Sequence, residues 1–236
     1  MKISRRNFLN SAGIASASTL VGRRAWAADL TPGSYPFGLD RPRDGVLYVP
    51  KGYKASVPMP LIIMFHGSGS SGMACQYAFP MADEFGYLIL APDSRSELTW
   101  DLILGSYGPD AEFLQAAFQQ TLSRCSVDRS QMVVAGHSDG GSYALSFGIG
   151  VGEKVGHIMA MSPGIMNPVA ATGKPRIFIS HGVSDRVMPI DDTSRRFVPR
   201  LKGLGYDVTY REYEGGHGVP APIVHEGFEW LASRRR

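Results

Sequence analysis

Cysteine, clustered metal ligands and long apolar runs are all scarce in this sequence of 236 residues, and each scarcity excludes a class of protein. With only Cys75 and Cys125, the chain is not a disulfide-stapled scaffold. One bridge or two packed thiols both remain open. The six histidines form no tight group of the kind that a metal site requires, so we expect no metal and no cofactor. The apolar stretch 8–22 is shorter than the roughly 18 residues that cross a bilayer, which argues against a stable membrane anchor.

Net charge is small as well. The formal charge is +3, but five basic side chains and no acidic ones fall in residues 1–27, which leaves 19 basic and 21 acidic side chains in the rest. That balance does not indicate a nucleic-acid partner. Because we find no repeat or linker and 44% of the residues are hydrophobic, residues 28–236 are predicted to form a single domain.

The first 27 residues have the pattern of an export signal. Residues 4–9 read SRRNFL, which resembles the twin-arginine signal, and the mildly apolar stretch 8–22 follows. Residues 25–27, Ala-Trp-Ala, provide a small-x-small cleavage site. We therefore expect the twin-arginine export machinery as a transient partner, cleavage before Ala28, and a periplasmic or secreted mature protein.

Short β-branched runs alternate with helical patterns through the remaining chain, and this alternation predicts an α/β fold with a doubly wound, mostly parallel central sheet flanked by helices. The predicted strands are 46–49, 61–65, 87–91, 132–135, 157–161, 176–180 and 208–213. The predicted helices are 73–85, 110–124, 140–149, 193–204 and 221–232.

Polar residues follow four of these strands, at the sheet edge where ligands bind in such folds. In chain order the strand ends carry the turn 66–69 (HGSG), the segment 136–140 (GHSDG), the segment 181–185 (HGVSD) and the segment 214–218 (EGGHG). The segment 136–140 lies between an apolar strand and a helix, which is the setting of a nucleophile elbow. There a serine is held in a strained turn, and the residues two before and two after it must be small.

These motifs, together with Ala91-Pro92-Asp93 and Pro189, resemble the α/β-hydrolase superfamily over about residues 43–232. Within it the chain is most similar to small carboxylesterases of the phospholipase/carboxylesterase and polyhydroxybutyrate-depolymerase-like groups. The resemblance implies a triad in the order nucleophile, acid, histidine. It also implies an oxyanion hole formed by the main-chain N–H groups of Ser68 and Asp139.

The chemistry of ester cleavage assigns the triad to Ser138, Asp185 and His217. Serine is a poor nucleophile at neutral pH and needs a base, histidine is suited to accept and return its proton, and an aspartate orients the ring. Other candidates remain open, namely His66, His181 and His225 as the base, and Asp191 and Asp192 as the acid. We expect the ring of His137 to point away from the site and the carboxylate of Asp139 to be solvated.

The short connection 162–175 leaves no room for a large lid, so we expect an open, shallow site. The loop 94–109 is the candidate apolar wall, with Trp100 and Tyr107 as substrate contacts and Met166 and Val187 beside them. The pattern favours a serine carboxylesterase acting on short or medium acyl esters. A polyester oligomer depolymerase or a serine peptidase on the same scaffold, and less plausibly a noncatalytic binding protein, are the alternatives. The sequence does not indicate the oligomeric state.

Overall fold

A computed structural model describes residues 30–40 and 42–233, so the predicted export signal and its cleavage site lie outside the described residues. Within them, eight strands form one sheet. The strands are β1 (Gly33–Pro36), β2 (Gly45–Val49), β3 (Met59–Phe65), β4 (Leu88–Pro92), β5 (Val127–His137), β6 (His157–Met161), β7 (Arg176–Gly182) and β8 (Val208–Tyr213).

Five α-helices and two 3₁₀ segments accompany the sheet in the described part of the chain. The helices are α1 (Phe79–Phe85), α2 (Pro109–Arg124), α3 (Asp139–Gly150), α4 (Ser194–Gly203) and α5 (Ala221–Ala232), and the 3₁₀ segments are Gly72–Ala78 and Asp101–Leu104. A search of the described helices found none with the length and apolar character needed to span a membrane.

The strand order β1-β2-β4-β3-β5-β6-β7-β8 confirms the predicted doubly wound sheet. From β4 to β8 all neighbouring strands run parallel, whereas β1 and β2 are antiparallel additions at one edge. The carboxyl ends of β3, β5, β7 and β8 therefore meet at one edge of the sheet, and the four polar segments follow those ends. No helix interrupts the connection 162–175, as expected for a fold with little or no lid.

The sequence patterns missed one strand and gave the wrong type or bounds for two other elements. Strand β1 was not predicted, because its sequence GSYP lacks apolar alternation and its residues are exposed or only partly buried. The predicted helix 73–85 is a 3₁₀ segment followed by the short helix α1, whose start coincides with Pro80 at an early helical position. Strand β5 begins five residues earlier than predicted, because exposed polar residues 128–130 extend it beyond its apolar core.

The sheet is covered on both faces, which explains why its central strands are apolar throughout. Alternate residues of β3 enter opposite cores, Leu61, Ile63 and Phe65 on one side and Ile62 and Met64 on the other. The first core is built with α2, α3 and part of α4, and the second with the segment 72–85 and α5.

The two cysteines belong to different cores. Cys75 packs in the second core and Cys125 in the first, so the sheet lies between them, and both thiols are free. Burial raises the pKa of Cys75 to about 12 and that of Cys125 to about 11, which makes both thiols poor nucleophiles. Of the two possibilities left open by the sequence, the structure therefore has packed thiols.

Candidate active site

Ser138 occupies a strained turn between β5 and α3. Its φ of 59° and ψ of −122° lie outside the regions that residues with a Cβ ordinarily adopt. The turn can form because the flanking glycines permit close packing: a Cβ on Gly136 would lie 2.8 Å from the main-chain oxygen of Phe65, and one on Gly140 would lie 2.5 Å from that of His66. The strand and helix thus meet with no room for a side chain, and the serine is lifted to the N-terminus of α3.

Two hydrogen bonds through the His217 ring link Ser138 to Asp185. The Ser138 hydroxyl lies 2.8 Å from His217 Nε2, and His217 Nδ1 lies 2.7 Å from Asp185 Oδ2. Because the carboxylate can only accept, Nδ1 carries the hydrogen, and Nε2 is left free to accept the serine proton. These contacts span 79 residues between serine and histidine and 32 between histidine and aspartate.

Asp185 is oriented by more than its histidine partner. Its Oδ1 accepts the main-chain N–H groups of Val187 at 2.9 Å and Met188 at 2.8 Å. Burial would raise the pKa of this carboxyl, but the hydrogen bonds from Met188, His217 and Val187 outweigh it and hold the pKa below its usual value. Asp185 is therefore ionised at neutral pH, ready to stabilise an imidazolium.

The acid and histidine loops are joined by main-chain hydrogen bonds. Val183 N–H donates to the carbonyl of Tyr213 at 3.0 Å, and Ser184 N–H donates to that of Gly215 at 2.9 Å. Gly182 permits this approach, since a Cβ there would lie 2.6 Å from the Gly215 oxygen. Gly182 thus has a packing reason, and the main-chain hydrogen bonds hold the loops of Asp185 and His217 together.

Of the two predicted oxyanion donors, Asp139 directly follows Ser138, and Ser68 follows a glycine that lies next to it. The N–H of Asp139 is at the first position of α3, where helix geometry provides no intrahelical partner and the helix dipole favours negative charge. Gly67, directly before Ser68, faces the serine: a Cβ on it would lie 3.5 Å from Ser138 Cβ and 3.9 Å from Oγ. The turn 66–69 therefore lies beside Ser138.

Two expectations about neighbours of the serine are wrong. The carboxylate of Asp139 is buried rather than solvated, because it accepts the Thr99 hydroxyl at 2.7 Å and the N–H of Trp100. Burial raises its pKa although both hydrogen bonds lower it. The ring of His137 does not point away from the site but packs on His217, with 4.9 Å between ring centroids.

Two further histidines, His137 and His181, pack against the residues of the predicted triad. Burial, and then the nearby charge of His217, lowers the pKa of His137 to about 4, so its ring is neutral beside the base. His181 is buried with its Nε2 2.8 Å from the Met188 carbonyl and 3.2 Å from Asp185 Oδ2. The sequence left His181 open as an alternative base, but its ring nitrogens contact Ser194, Met188 and Asp185.

The alternative acids and bases lie away from Ser138 or are occupied elsewhere. Asp191 pairs with Arg195 at 2.9 Å, and Asp192 lies 3.9 Å from Arg196, both on the surface. His225, on α5, lies 3.0 Å from Glu84, and His66 is held by main-chain groups of Gly67 and Ser94. Within residues 30–40 and 42–233, no group of three or more His, Cys, Asp or Glu side chains is placed to hold a metal ion.

The two predicted substrate contacts do not face the site. Trp100 is 1% exposed, packs against the rings of Phe65 and Tyr143, and donates its indole N–H to the His66 carbonyl at 2.9 Å, which argues against direct contact with a substrate. Tyr107 packs near Gly150, where a Cβ would lie 2.5 Å from its hydroxyl. Since α3 rises about 1.5 Å per residue, this point lies about 18 Å along the helix from Ser138.

Three exposed apolar side chains instead belong to loops that contact the site. Leu98 is 73% exposed, and its carbonyl accepts the Ser68 hydroxyl. Val187 is 63% exposed and follows the acid, while Ile165 is 41% exposed and its N–H donates to Ser142 Oγ, one turn after Ser138, at 3.1 Å. We call these three side chains the apolar rim. Met166, by contrast, is partly buried against the core.

Comparison with known proteins extends this description. No family model matches the chain. The probable feruloyl esterase C of Aspergillus niger is 26% identical over 216 residues, which cover 77% of this chain and 78% of that protein. The feruloyl esterase C of Emericella nidulans is 24% identical over 216 residues with the same two coverages. The acyl-protein thioesterase 1 of Gibberella zeae is 30% identical over 99 residues, covering 38% of this chain and 42% of that enzyme.

Solved structures show the same architecture. Esterase PE8 superposes with a TM-score of 0.65 at 20% identity, covering 81% of this chain and 98% of that one. A carbohydrate esterase from gut microbiota, in truncated form, superposes with a TM-score of 0.67 at 16% identity, covering 88% and 98%. With the sheet order and the elbow, these likenesses show that the chain has the α/β-hydrolase fold, and its sequence is similar to feruloyl esterases and to part of an acyl-protein thioesterase.

Proposed function

We propose that this protein is a serine carboxylesterase that cleaves its substrate through an acyl-enzyme. The observation that carries the proposal is the linkage of Ser138, His217 and Asp185 by hydrogen bonds of 2.8 and 2.7 Å at the N-terminus of a buried helix. Relatives named as feruloyl esterases and a thioesterase act on acyl groups bound to oxygen or sulfur, which supports the same class of chemistry here.

The geometry accounts for each proton in the reaction. Ser138 Oγ attacks the carbonyl carbon while His217 Nε2 takes its proton, and Asp185 stabilises the imidazolium that results. The oxyanion accepts hydrogen bonds from the N–H groups of Ser68 and Asp139. His217 then returns the proton to the departing alcohol. A water molecule then attacks the acyl carbon while His217 Nε2 takes its proton, and His217 returns that proton to Ser138 Oγ as the acyl–oxygen bond breaks and the carboxylic acid leaves.

The apolar rim favours short or medium acyl groups, aromatic ones included. Leu98, Ile165 and Val187 present carbon surface at the opening without a helix to cover them, so an acyl chain gains contact only as far as the rim reaches. The similarity to feruloyl esterases makes hydroxycinnamoyl esters one class to test. Hydroxybutyrate oligomers and peptides are the substrates of the two alternative hydrolase functions.

The test is a comparison of kcat/KM over nitrophenyl esters of increasing acyl length, methyl ferulate, hydroxybutyrate oligomers and matched anilides. We expect esters to be cleaved best, with a maximum at short or medium acyl length. Leu98→Ser should lower kcat/KM for the best ester about tenfold, because about 1.4 kcal/mol of apolar contact corresponds to that factor. Leu204→Ser, at another exposed leucine directly after α4, is the matched control and should leave kcat/KM unchanged.

Activity that rises steadily to long acyl groups would contradict the chain-length proposal, and faster cleavage of anilides than of esters would favour a peptidase. A folded protein that cleaves none of these substrates and never reacts with a fluorophosphonate would favour the noncatalytic alternative.

We also propose that the protein is exported through the twin-arginine pathway to the periplasm or the medium. The support is the SRRNFL segment, the apolar stretch and the Ala-Trp-Ala site within residues 1–27. N-terminal sequencing of the exported protein checks the proposal, with Ala28 expected as the first residue. An unprocessed chain retained in the cytoplasm would contradict it.

A further inference from the structure

His66 is a buried histidine that the mechanism does not use, although it is the first residue of the turn 66–69 beside Ser138. Its side chain is 3% exposed and packs on the Trp100 ring, with 4.7 Å between centroids. A polar ring so deeply buried needs partners for both nitrogens, since an unmet hydrogen bond in the interior costs about 1–3 kcal/mol. Both nitrogens of His66 have main-chain partners.

Those partners define the tautomer. The N–H of Ser94 lies 3.0 Å from His66 Nε2, and because a main-chain N–H can only donate, Nε2 carries no hydrogen. The carbonyl oxygen of Gly67 lies 2.7 Å from Nδ1, and because a carbonyl can only accept, Nδ1 carries the hydrogen. The ring is therefore neutral, in agreement with burial, which lowers its pKa although the contact with Gly67 opposes this.

The bond to Gly67 has a consequence for Ser68. The carbonyl of Gly67 and the N–H of Ser68 belong to the same planar trans peptide, so they point in opposite directions. Holding the carbonyl against the buried imidazole turns the N–H away from it. Gly67 itself lies beside Ser138, within 3.9 Å of Oγ measured from a Cβ built on it. The orientation of one peptide plane next to the nucleophile thus depends on a histidine nitrogen.

We propose that His66 is a positioning residue that aims the Ser68 N–H at the oxyanion. This inference rests on the proposed serine esterase function. His66 does not touch the substrate, and it acts only through the Gly67–Ser68 peptide.

Other contacts hold the rest of the turn, so a change at His66 can rotate this peptide without unfolding the loop. The Ser68 hydroxyl donates to the Leu98 carbonyl, Arg43 Nη2 donates to the Ser70 carbonyl at 2.6 Å, and Gly72 N–H donates to Asp93 Oδ1 at 2.6 Å. These bonds fix the flank of the turn after Gly67. They do not define the direction of the Gly67 carbonyl.

Two uncharged substitutions test the hydrogen bonds of the two His66 nitrogens one at a time. An asparagine side chain places its amide N–H₂ near the position of Nδ1, so His66→Asn can keep the bond to Gly67 while it loses the acceptor for Ser94. A glutamine side chain places its amide oxygen near Nε2, so His66→Gln can keep the acceptor for Ser94 while it loses the donor to Gly67. Each variant removes one hydrogen bond and adds no charge.

The readout is the ratio of kcat/KM for an ester to kcat/KM for the matching thionoester. In the thionoester the developing negative charge lies on sulfur, which main-chain N–H groups bind less well than oxygen, so the ratio reports on the oxyanion donors. We expect His66→Gln to lower kcat/KM for the ester about 10- to 100-fold, near the range found when one oxyanion donor is removed. In His66→Gln the kcat/KM for the thionoester should fall much less, so the ratio of ester to thionoester kcat/KM should drop strongly. In His66→Asn this ratio should stay within about threefold of wild type.

A ratio that stays at the wild-type value in His66→Gln would overturn the inference, even if both rates fall, because that result indicates a structural role alone. An equal collapse in His66→Asn would also overturn it. Failure of the proposed function looks different, since the wild-type protein would then lack ester hydrolysis that depends on Ser138.

A measurement on the unaltered protein tests the same inference if the variants do not fold. The ¹⁵N chemical shifts of His66 should identify a protonated Nδ1 and an unprotonated Nε2 at neutral pH. A ring protonated at Nε2 under this condition would leave no donor for Gly67 or no acceptor for Ser94, and the inference would be wrong.

Discussion

A Ser138→Ala variant should lose about 10⁵- to 10⁶-fold in kcat for ester hydrolysis, the range that follows removal of a serine nucleophile from an intact triad. The physical reason is that Oγ is the atom that bonds to the acyl carbon, and His217, 2.8 Å away, would have no proton to accept. The remaining rate would come from substrate binding and the oxyanion donors alone. Turnover of a nitrophenyl ester measures the loss, and mass spectrometry should show that a fluorophosphonate no longer adds to the protein.

The fold should survive this change. Alanine and serine both carry a Cβ, so the cost of the positive φ at position 138 stays about the same, and the thermal midpoint should not fall. Ser130→Ala is the matched control: the Ser130 hydroxyl is exposed and contacts only its neighbour Asp128, at 2.6 Å, among the contacts described for its side chain. That control should keep full activity and labelling. Undiminished turnover by Ser138→Ala would show that another residue is the nucleophile.

A Gly140→Ala variant should be destabilised by about 3 kcal/mol, at the upper end of the cost of overfilling a packed interior. The added Cβ would lie 2.5 Å from both the carbonyl oxygen of His66 and the carbonyl carbon of Phe65, closer than real contacts allow. Both atoms belong to the main chain at the end of the central strand β3 and cannot rotate away as a side chain would. Helix α3 must therefore shift and take Ser138 with it.

Urea unfolding measures the change in stability, and the same protein should show lower kcat wherever it remains folded. Gly203→Ala is the control, because Gly203 is the last residue of α4 and a Cβ there meets nothing within 4 Å. It should alter the free energy of unfolding by less than about 1 kcal/mol. Equal stability of Gly140→Ala and wild type would mean that the elbow is looser than its contacts indicate.

Elements with strong local patterns were predicted closely. The apolar run 61–65 lies within β3, the helix predicted over 193–204 is Ser194–Gly203, and the helix predicted over 221–232 is α5 with the same bounds. Burial on both faces imposes an apolar sequence on the strand, and the apolar face of a helix repeats along it, so both leave a readable signal. Strand β1 is short and exposed at the sheet edge, so its pairing with β2 left no such signal.

The direction in which loop side chains point was much harder to predict. Trp100 and Tyr107 were predicted to face a substrate, but Trp100 entered the core, where its indole found a carbonyl partner, and Tyr107 packed on the far part of α3. An aromatic residue in a loop has the same composition signal whether it lines a site or fills a core. Only its neighbours in space distinguish the two, and those neighbours come from distant parts of the chain.

The sequence by itself determined the class of fold, the strained serine between two glycines, and the chain order of serine, aspartate and histidine. These features can be read locally, because each depends on short segments of adjacent residues whose backbone can adopt few conformations. The tertiary structure alone decided that the two cysteines lie on opposite faces of the sheet, that His137 packs on the base, and that a neutral His66 holds the peptide before Ser68. Such arrangements depend on atoms that are tens of residues apart in the chain and meet only when the sheet is assembled.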